Sequence, residues 1–392
     1  MSPQQPADEP AKPDESDVSA KTPQADPPPT DPPAGGAAGT SSAMPAAAGA
    51  KLDKKKTIIG GIVTLVILGL VFWGLSKKFG SFAEAWTQIQ QMTAIALASL
   101  ALVAIVNIIV YVFPYQQAIP GLKYKPAFMV RQTSWMMAAL VPAGGAFAVA
   151  LQYVMLGSYG ISAAAATSGI AITSVFSFFM TFLLPVLGVL VLIPSGELQS
   201  SWVWAGVIGL AALVAMVVIF WLILRSEVSA RRVAALGQKL ANPILHKLNR
   251  NVDVTESVLS FRAQVVDVVK ANWIGLTITN LAVSFLQFMI LFVAIRGVAG
   301  DAQQSGVTFA EAFAAFAISR LGTLIPLTPG GLGTVAGVLG AMLAAFGMNQ
   351  DAILAAVVVW QVVQLLPQAI TGIITLLGWR VQESRRQRVP AA

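Results

Sequence analysis

The chain has 392 residues, 56% hydrophobic and only 11% charged, with one histidine, no cysteine and a formal net charge of +7; its mean hydropathy is +0.72. A soluble domain is about a quarter charged, and several apolar runs here exceed the roughly 18 residues that mark a membrane-spanning helix, so the composition specifies an all-α polytopic membrane protein. The missing cysteines exclude disulfides and thiolate sites, and the lone His246 excludes a histidine metal site or triad, so no cofactor and no metal are expected.

Residues 1–50 hold 11 of the 22 prolines and seven acidic residues, with almost no large apolar side chains. Such a segment buries too little surface to offset its ordering entropy; it is expected to be a disordered cytoplasmic tail, either a docking arm or simply solvated. Lys51, Lys54, Lys55 and Lys56 precede an apolar run over 57–75, the first expected span. A second is expected at 93–113. Segment 125–160 is also apolar, but broken at Pro142, Ala143, Gly144 and Gly145. Spans are expected at 166–193 and 202–224, followed by a polar cytoplasmic loop, 225–270, with eight Lys and Arg. Within it, "RRVAALGQKLANPILHKLNR" looks like a basic interfacial helix, with His246 a surface residue. A span at 272–298, a second broken segment at 309–347 and a last span at 351–378 complete the membrane domain, 51–380. A basic tail, 381–392, carries Arg385, Arg386 and Arg388. The expected architecture is about six full transmembrane helices plus two broken helix pairs.

The basic residues set the orientation. With the N-terminus inside, the cytoplasmic stretches 51–56, 115–131, 225–270 and 380–392 hold 4, 3, 8 and 4 of them, whereas the outside loops hold only Lys77 and Lys78. The same asymmetry, and not nucleic-acid binding, accounts for the positive net charge. It holds only if each broken segment enters and leaves on one side. Arms of about 15–18 residues are shorter than the roughly 20 needed to cross, which favours re-entrant hairpins over crossing pairs.

The two broken segments resemble each other. Gly144, Gly145, Val149 and Ala150 align with Gly330, Gly331, Val335 and Ala336, and Pro142 sits near its break as Pro329 does. Each is flanked by spanning helices, giving one copy at 93–193 and another at 272–378. The single span between them makes the copies an inverted repeat, the first pair opening to the cytoplasm and the second to the outside. Inverted repeats with interrupted helices are a recurring transporter plan, with the substrate near the midplane.

Helix breaks free backbone groups that must be buried in protein or face water. The arm beginning near Gly331 would aim its positive end at the break, suiting a phosphate; Gly330 and Gly331 permit close approach, and Pro326 and Pro329 end the preceding helix. Arg320 lies about 11 residues into its arm, roughly 16 Å deep at helical rise. A guanidinium that deep either holds an anion or caps freed carbonyls at the tip. The candidate substrate-binding set is Arg320, Thr328, Pro329, Gly330, Gly331, Gly333 and Thr334 from the second segment, and Pro142, Gly144, Gly145 and Gln152 from the first. Gln152 belongs with Asn107, Tyr153, Asn280, Gln287, Gln361, Gln364 and Gln368, which bond between helices or line a path. The spacing of Gly333 and Gly337 suits close helix packing. The acidic residues near the spans, Asp267, Asp301, Glu311 and Asp351, all sit near ends, which argues against ion coupling. No catalytic pattern is present, and the chain is not expected to be an enzyme.

The stretch "PLTPGGLGTVAG", preceded by Arg320, resembles the second signature of the flippase-like membrane region of lysylphosphatidylglycerol synthases, a region also found in stand-alone bacterial and archaeal membrane proteins. "LVPAGGAFAVALQYVMLGSYGIS" resembles the first signature in an actinobacterial form. The resemblance covers about 55–380 and implies a lipid-handling role in the bacterial inner membrane, with both termini cytoplasmic. Relatives often carry an acidic residue where this chain has Ala336, and an arginine or glutamate where it has Gly145, Ala146, Phe147 and Ala148. The second broken segment is therefore expected to do most of the holding. With only 12 residues after Arg380, no aminoacyl-transferase domain is expected to follow. Three roles fit: a flippase-like transporter of a lipid with an anionic headgroup; a non-transporting scaffold or partner of a cell-envelope lipid enzyme, as a monomer or homo-oligomer; and a small-solute transporter.

Overall fold

A computed structural model describes residues 82–141, 144–195, 200–247, 254–300, 305–324 and 332–388. The tail over 1–50 and the expected first span lie outside the described residues. So do Pro142, Thr328, Pro329, Gly330 and Gly331.

All regular structure among the described residues is helical. α1 (Phe82–Gln90) leads into α2 (Ala94–Val110), which turns at Tyr111 into the short α3 (Phe113–Ala118). Two helices of 17 and 15 residues, α4 (Tyr124–Leu140) and α5 (Gly144–Ser158), pack on each other. The long helices α6 (Ala163–Leu192) and α7 (Ser200–Arg225) follow, then α8 (Glu227–Lys247) and the 46-residue α9 (Val254–Ala299). A second short pair comes next: α10 (Phe309–Ser319), extended by a 3-10 turn (Arg320–Leu324), and α11 (Leu332–Ala345). α12 (Gln350–Arg388) closes the chain. Among the described residues five helices are long and apolar enough to cross a membrane: Ala94–Ala118, Ala163–Leu192, Gly206–Arg225, Val265–Ala299 and Ala352–Arg385. The chain is a multi-pass membrane protein.

Two expectations change in detail. The described residues of segment 225–270 form helices and not a loop: α8 and the first third of α9, which runs unbroken into its membrane span. Arg131, counted among cytoplasmic loop charges, lies inside α4 and is buried. The connection before α4 spans only residues 119–123, because the helical signal resumes at Tyr124.

Small residues set how closely the helices approach. A methyl group on Gly372 of α12 would strike Met136 and, at 2.7 Å, the Gln132 carbonyl of α4. One turn on, Thr375 and Thr133 share a hydroxyl–hydroxyl hydrogen bond of 2.9 Å, so α12 and α4 run antiparallel. Gly188 of α6 similarly meets Ala314 and Ala317 of α10 at 3.2 and 2.9 Å. In lipid, where burial of apolar surface gives little drive, such close approach is what holds helices together. Gly337 faces open space, so the expected packing role of the Gly333/Gly337 pair does not hold; the close approach is at Gly322, where an added methyl group would come within 3.0 Å of the α11 backbone at Thr334 and Val335.

The buried apolar residues form two clusters. One gathers the second half of α9 with α10, α11 and the start of α12, around Phe288, whose ring meets those of Phe309, Phe313 and Phe316 at 5.0, 5.1 and 5.8 Å. The other gathers α3, α4, α5 and the first halves of α6 and α9 around Ile119, Met155, Ile172 and Leu276. α6 and α9 thread both clusters, and the stretches between are polar: Thr173, Ser174, Ser177 and Thr181 on α6, Asn280, Ser284 and Gln287 on α9.

Replacing Gly372 with leucine should overpack the α4–α12 contact and cost about 1–3 kcal/mol, read as a lower thermal midpoint in detergent. Gly337→Ala should leave the midpoint unchanged or raise it; equal destabilisation by both would contradict this packing.

Candidate functional site

The polar stretches of α6 and α9 face a cavity of about 490 Å3. Its position follows from the two clusters: it opens where α6 and α9 pass from one to the other, about halfway along each helix. Each wall is a single helical stripe, since residues three and four apart share a face. α4 gives Arg131, Ser134, Trp135 and Ala138; α5 gives Gly145, Ala148, Val149 and Gln152; α9 gives Asn280, Val283, Ser284 and Gln287. α6 supplies its Ser/Thr face, the α2–α3 turn supplies Tyr111 and Tyr115, and the 3-10 turn supplies Arg320 and Thr323. The small residues of α5 leave the volume empty that the larger side chains opposite do not fill.

Two guanidinium groups reach this space. Arg131 is only 9% exposed. Its guanidinium carbon stacks 3.8 Å from the centre of the Tyr111 ring and lies 5.7 Å from that of Tyr115. Cation–π contact of this kind stabilises a cation without neutralising it. The Tyr115 hydroxyl in turn donates to Gln152 Oε1 at 2.7 Å, fixing the aromatic pair against α5. Arg320 is the C-cap residue of α10, with its guanidinium 5.9 Å from the Phe316 ring and its Nε buried without a hydrogen-bond partner. The backbone beneath it is tied down: Thr323 Oγ1 donates to the Arg320 carbonyl at 2.7 Å, and Thr334 Oγ1 to the Gly322 carbonyl at 2.6 Å.

Neither arginine has a counter-ion. Among the described residues the ion pair is a surface one, Arg231 with Glu227 on α8, and no acidic side chain lines the cavity. There is no Asp or Glu between Glu84 and Glu197, between Asp267 and Asp301, or between Glu311 and Asp351, and each described lining residue falls in one of these three intervals. Glu311 is occupied elsewhere, accepting from the Thr308 backbone N–H at 2.6 Å in the capping box that starts α10. Hydroxyl protons on the walls are largely committed to their own helices: Ser134 donates to Val130, Ser174 to Ile170, Thr181 to Ser177 and Ser284 to Asn280. The arginines are therefore the principal donors facing the space, while the wall hydroxyls offer lone pairs.

The cavity is not closed. Ala138 and Gly145 on the first short pair, and Ser174, Ser177 and Phe178 on α6, line it and are also exposed, Phe178 by 52%. Exposed serines halfway along a membrane helix mark its mouth.

Of the residues expected from sequence, Arg320, Gly145 and Gln152 meet in this cavity, with Asn280 and Gln287 from the wider polar set. A methyl group added to Gly144 would instead strike the α4 backbone at Met137 and Ala138, and Thr334 braces the 3-10 turn. Gly333 does not line the cavity. Asn107, Gln361, Gln364 and Gln368 lie elsewhere, and Tyr153 bonds to Thr167 at 2.8 Å. The residue missed is Arg131. Its signal was present: a cation seven residues into an apolar helix, with Ser134 and Trp135 on the same face.

The family model described as lysylphosphatidylglycerol synthase TM region matches residues 58–372. No curated protein matches the chain.

An uncompensated buried cation is destabilising, so Arg320→Met should raise the stability of the lipid-free protein by on the order of 1 kcal/mol. A melt in detergent would show it; a loss of more than about 2 kcal/mol would instead make Arg320 a structural residue.

Proposed function

The chain belongs to the lysylphosphatidylglycerol synthase transmembrane-region family, and on that premise we propose that it is a flippase-like transporter of a lipid with an anionic headgroup in the bacterial inner membrane. One observation carries the reading: a polar cavity about halfway along α6 and α9 holds two guanidinium groups, with no acidic lining residue and no counter-ion for either among the described residues. Placing such charge in hydrocarbon is costly and marks a ligand path. The exposed mouth between α6 and the first short pair gives an acyl chain a way to stay in lipid while its headgroup enters.

In this reading α2 to α6 and α9 to α12 are the two inverted copies, and the short pairs α4–α5 and α10–α11 are re-entrant. Each copy contributes one arginine, Arg131 from the first and Arg320 from the second, with the site at their meeting, as inverted-repeat transporters place theirs. Both termini are cytoplasmic, and the basic face of α8 rests against anionic headgroups of the inner leaflet. Translocation needs binding and release alone, so no bond is made or broken and no cofactor takes part. The scaffold and small-solute alternatives lack a supporting observation of this weight: a scaffold has no use for the empty charged space, and a solute path needs no lateral mouth.

The test is translocation of labelled lipid by the pure protein in liposomes. Wild type should move an anionic lipid above background. Arg131→Ala and Arg320→Ala should each lower the rate about tenfold or more, the loss expected when a charge-assisted hydrogen bond is removed. Arg231→Ala, which breaks only the surface pair with Glu227, should not. Background movement of every lipid by wild type would overturn the reading.

A further inference from the structure

The charge count of the cavity narrows what it takes. This step rests on the reading of the cavity as a headgroup site. We infer that its ligand carries a phosphomonoester or diphosphate, two negative charges or more on one compact group, and bears no ammonium.

The argument is one of residual charge. Arg131 and Arg320 contribute two positive charges, and the described residues that line the cavity include no Asp or Glu to offset either. A phosphodiester, with one negative charge, would pair with only one of the two guanidiniums and leave the other without a partner among the described wall groups. A dianionic group neutralises both. Both are held in place: Arg131 stacks on Tyr111 at 3.8 Å, and Arg320 has its Nε buried and unpartnered among the described residues. The Arg320 Nε–H is a donor with no acceptor among the described residues, and a phosphoryl oxygen is a strong one.

The same count excludes the opposite charge. An ammonium headgroup, whether zwitterionic or aminoacylated, needs a carboxylate or a cluster of acceptors to replace its water. Wall hydroxyls and amides remain, but two guanidiniums share the space and repel it. The chain therefore handles a lipid of a different charge from the aminoacylated lipid in the family's name.

The test measures binding to the purified full chain in detergent at about pH 8, where a phosphomonoester is doubly charged, its second pKa being about 6. The probes are phosphatidic acid, farnesyl diphosphate, phosphatidylglycerol, phosphatidylethanolamine and lysylphosphatidylglycerol. The first two should bind at least about tenfold tighter than phosphatidylglycerol, and the last two weakest. Arg131→Gln and Arg320→Gln should each shrink that preference towards unity, while Arg131→Lys and Arg320→Lys keep part of it. Equal binding of phosphatidic acid and phosphatidylglycerol, or tightest binding of lysylphosphatidylglycerol, would overturn the inference on wild-type protein alone, whatever the variants do. Inorganic pyrophosphate separates the sources: failure to compete assigns the group to a lipid, and competition at equal concentration assigns it to a soluble phosphate compound. The predicted ranking without any translocation would sustain this charge class and defeat the transport reading; translocation with the ranking reversed would do the opposite.

Discussion

The arrangement of this protein turns on two positive charges that it does not neutralise. A guanidinium in the middle of a bilayer is normally paired with a carboxylate or led out to the interface. Here Arg131 lies flat on Tyr111, and Arg320 closes the end of α10 with its Nε unpartnered. Each is held by its surroundings rather than by an ion pair. The tyrosine face, the Tyr115–Gln152 hydrogen bond and the braced 3-10 turn supply position without supplying negative charge. In the proposed reading, a cavity built this way is pre-organised for an anion.

The rest of the fold reads as support for that arrangement. Two apolar clusters lie to either side, and α6 and α9 thread both, leaving their polar middles to face each other across the gap. Glycines at 188 and 372 bring α10 and α4, the helices that carry the two arginines, against α6 and α12. Short helices end where long ones would have filled the space. The stability lost by enclosing charge is made up in the aromatic packing around Phe288 and in the close helix contacts. This division explains why the site has few internal hydrogen bonds while its surroundings are tightly locked.

Much of this was legible in the sequence. The spans follow from apolar runs, the breaks from Pro142, Pro326 and Pro329, and Arg320 from its depth in an apolar arm. The intervals without Asp or Glu could be read directly. Arg131 could not be placed by charge counting, because it lies near enough to Lys123 and Lys125 to pass for a loop cation; only the resumption of the helix at Tyr124 carries it inward. Tyr111 and Tyr115 lie at a helix turn with no periodic signal of their own, so their stacking on Arg131 is a tertiary fact. The Gly333/Gly337 spacing misled for the opposite reason: a motif that permits packing does not say which face is packed, and Gly322 took the role.

The central claim is that Arg131 and Arg320 hold the same anion. A double-mutant cycle on headgroup affinity tests it most directly, with Arg131→Gln, Arg320→Gln and the double variant measured against one phosphate-bearing lipid. If the two share a ligand, the losses will not add, and the interaction energy will fall between about 0.5 and 3 kcal/mol. Losses that sum to within about 0.3 kcal/mol would show two independent groups, and would contradict a single site between them.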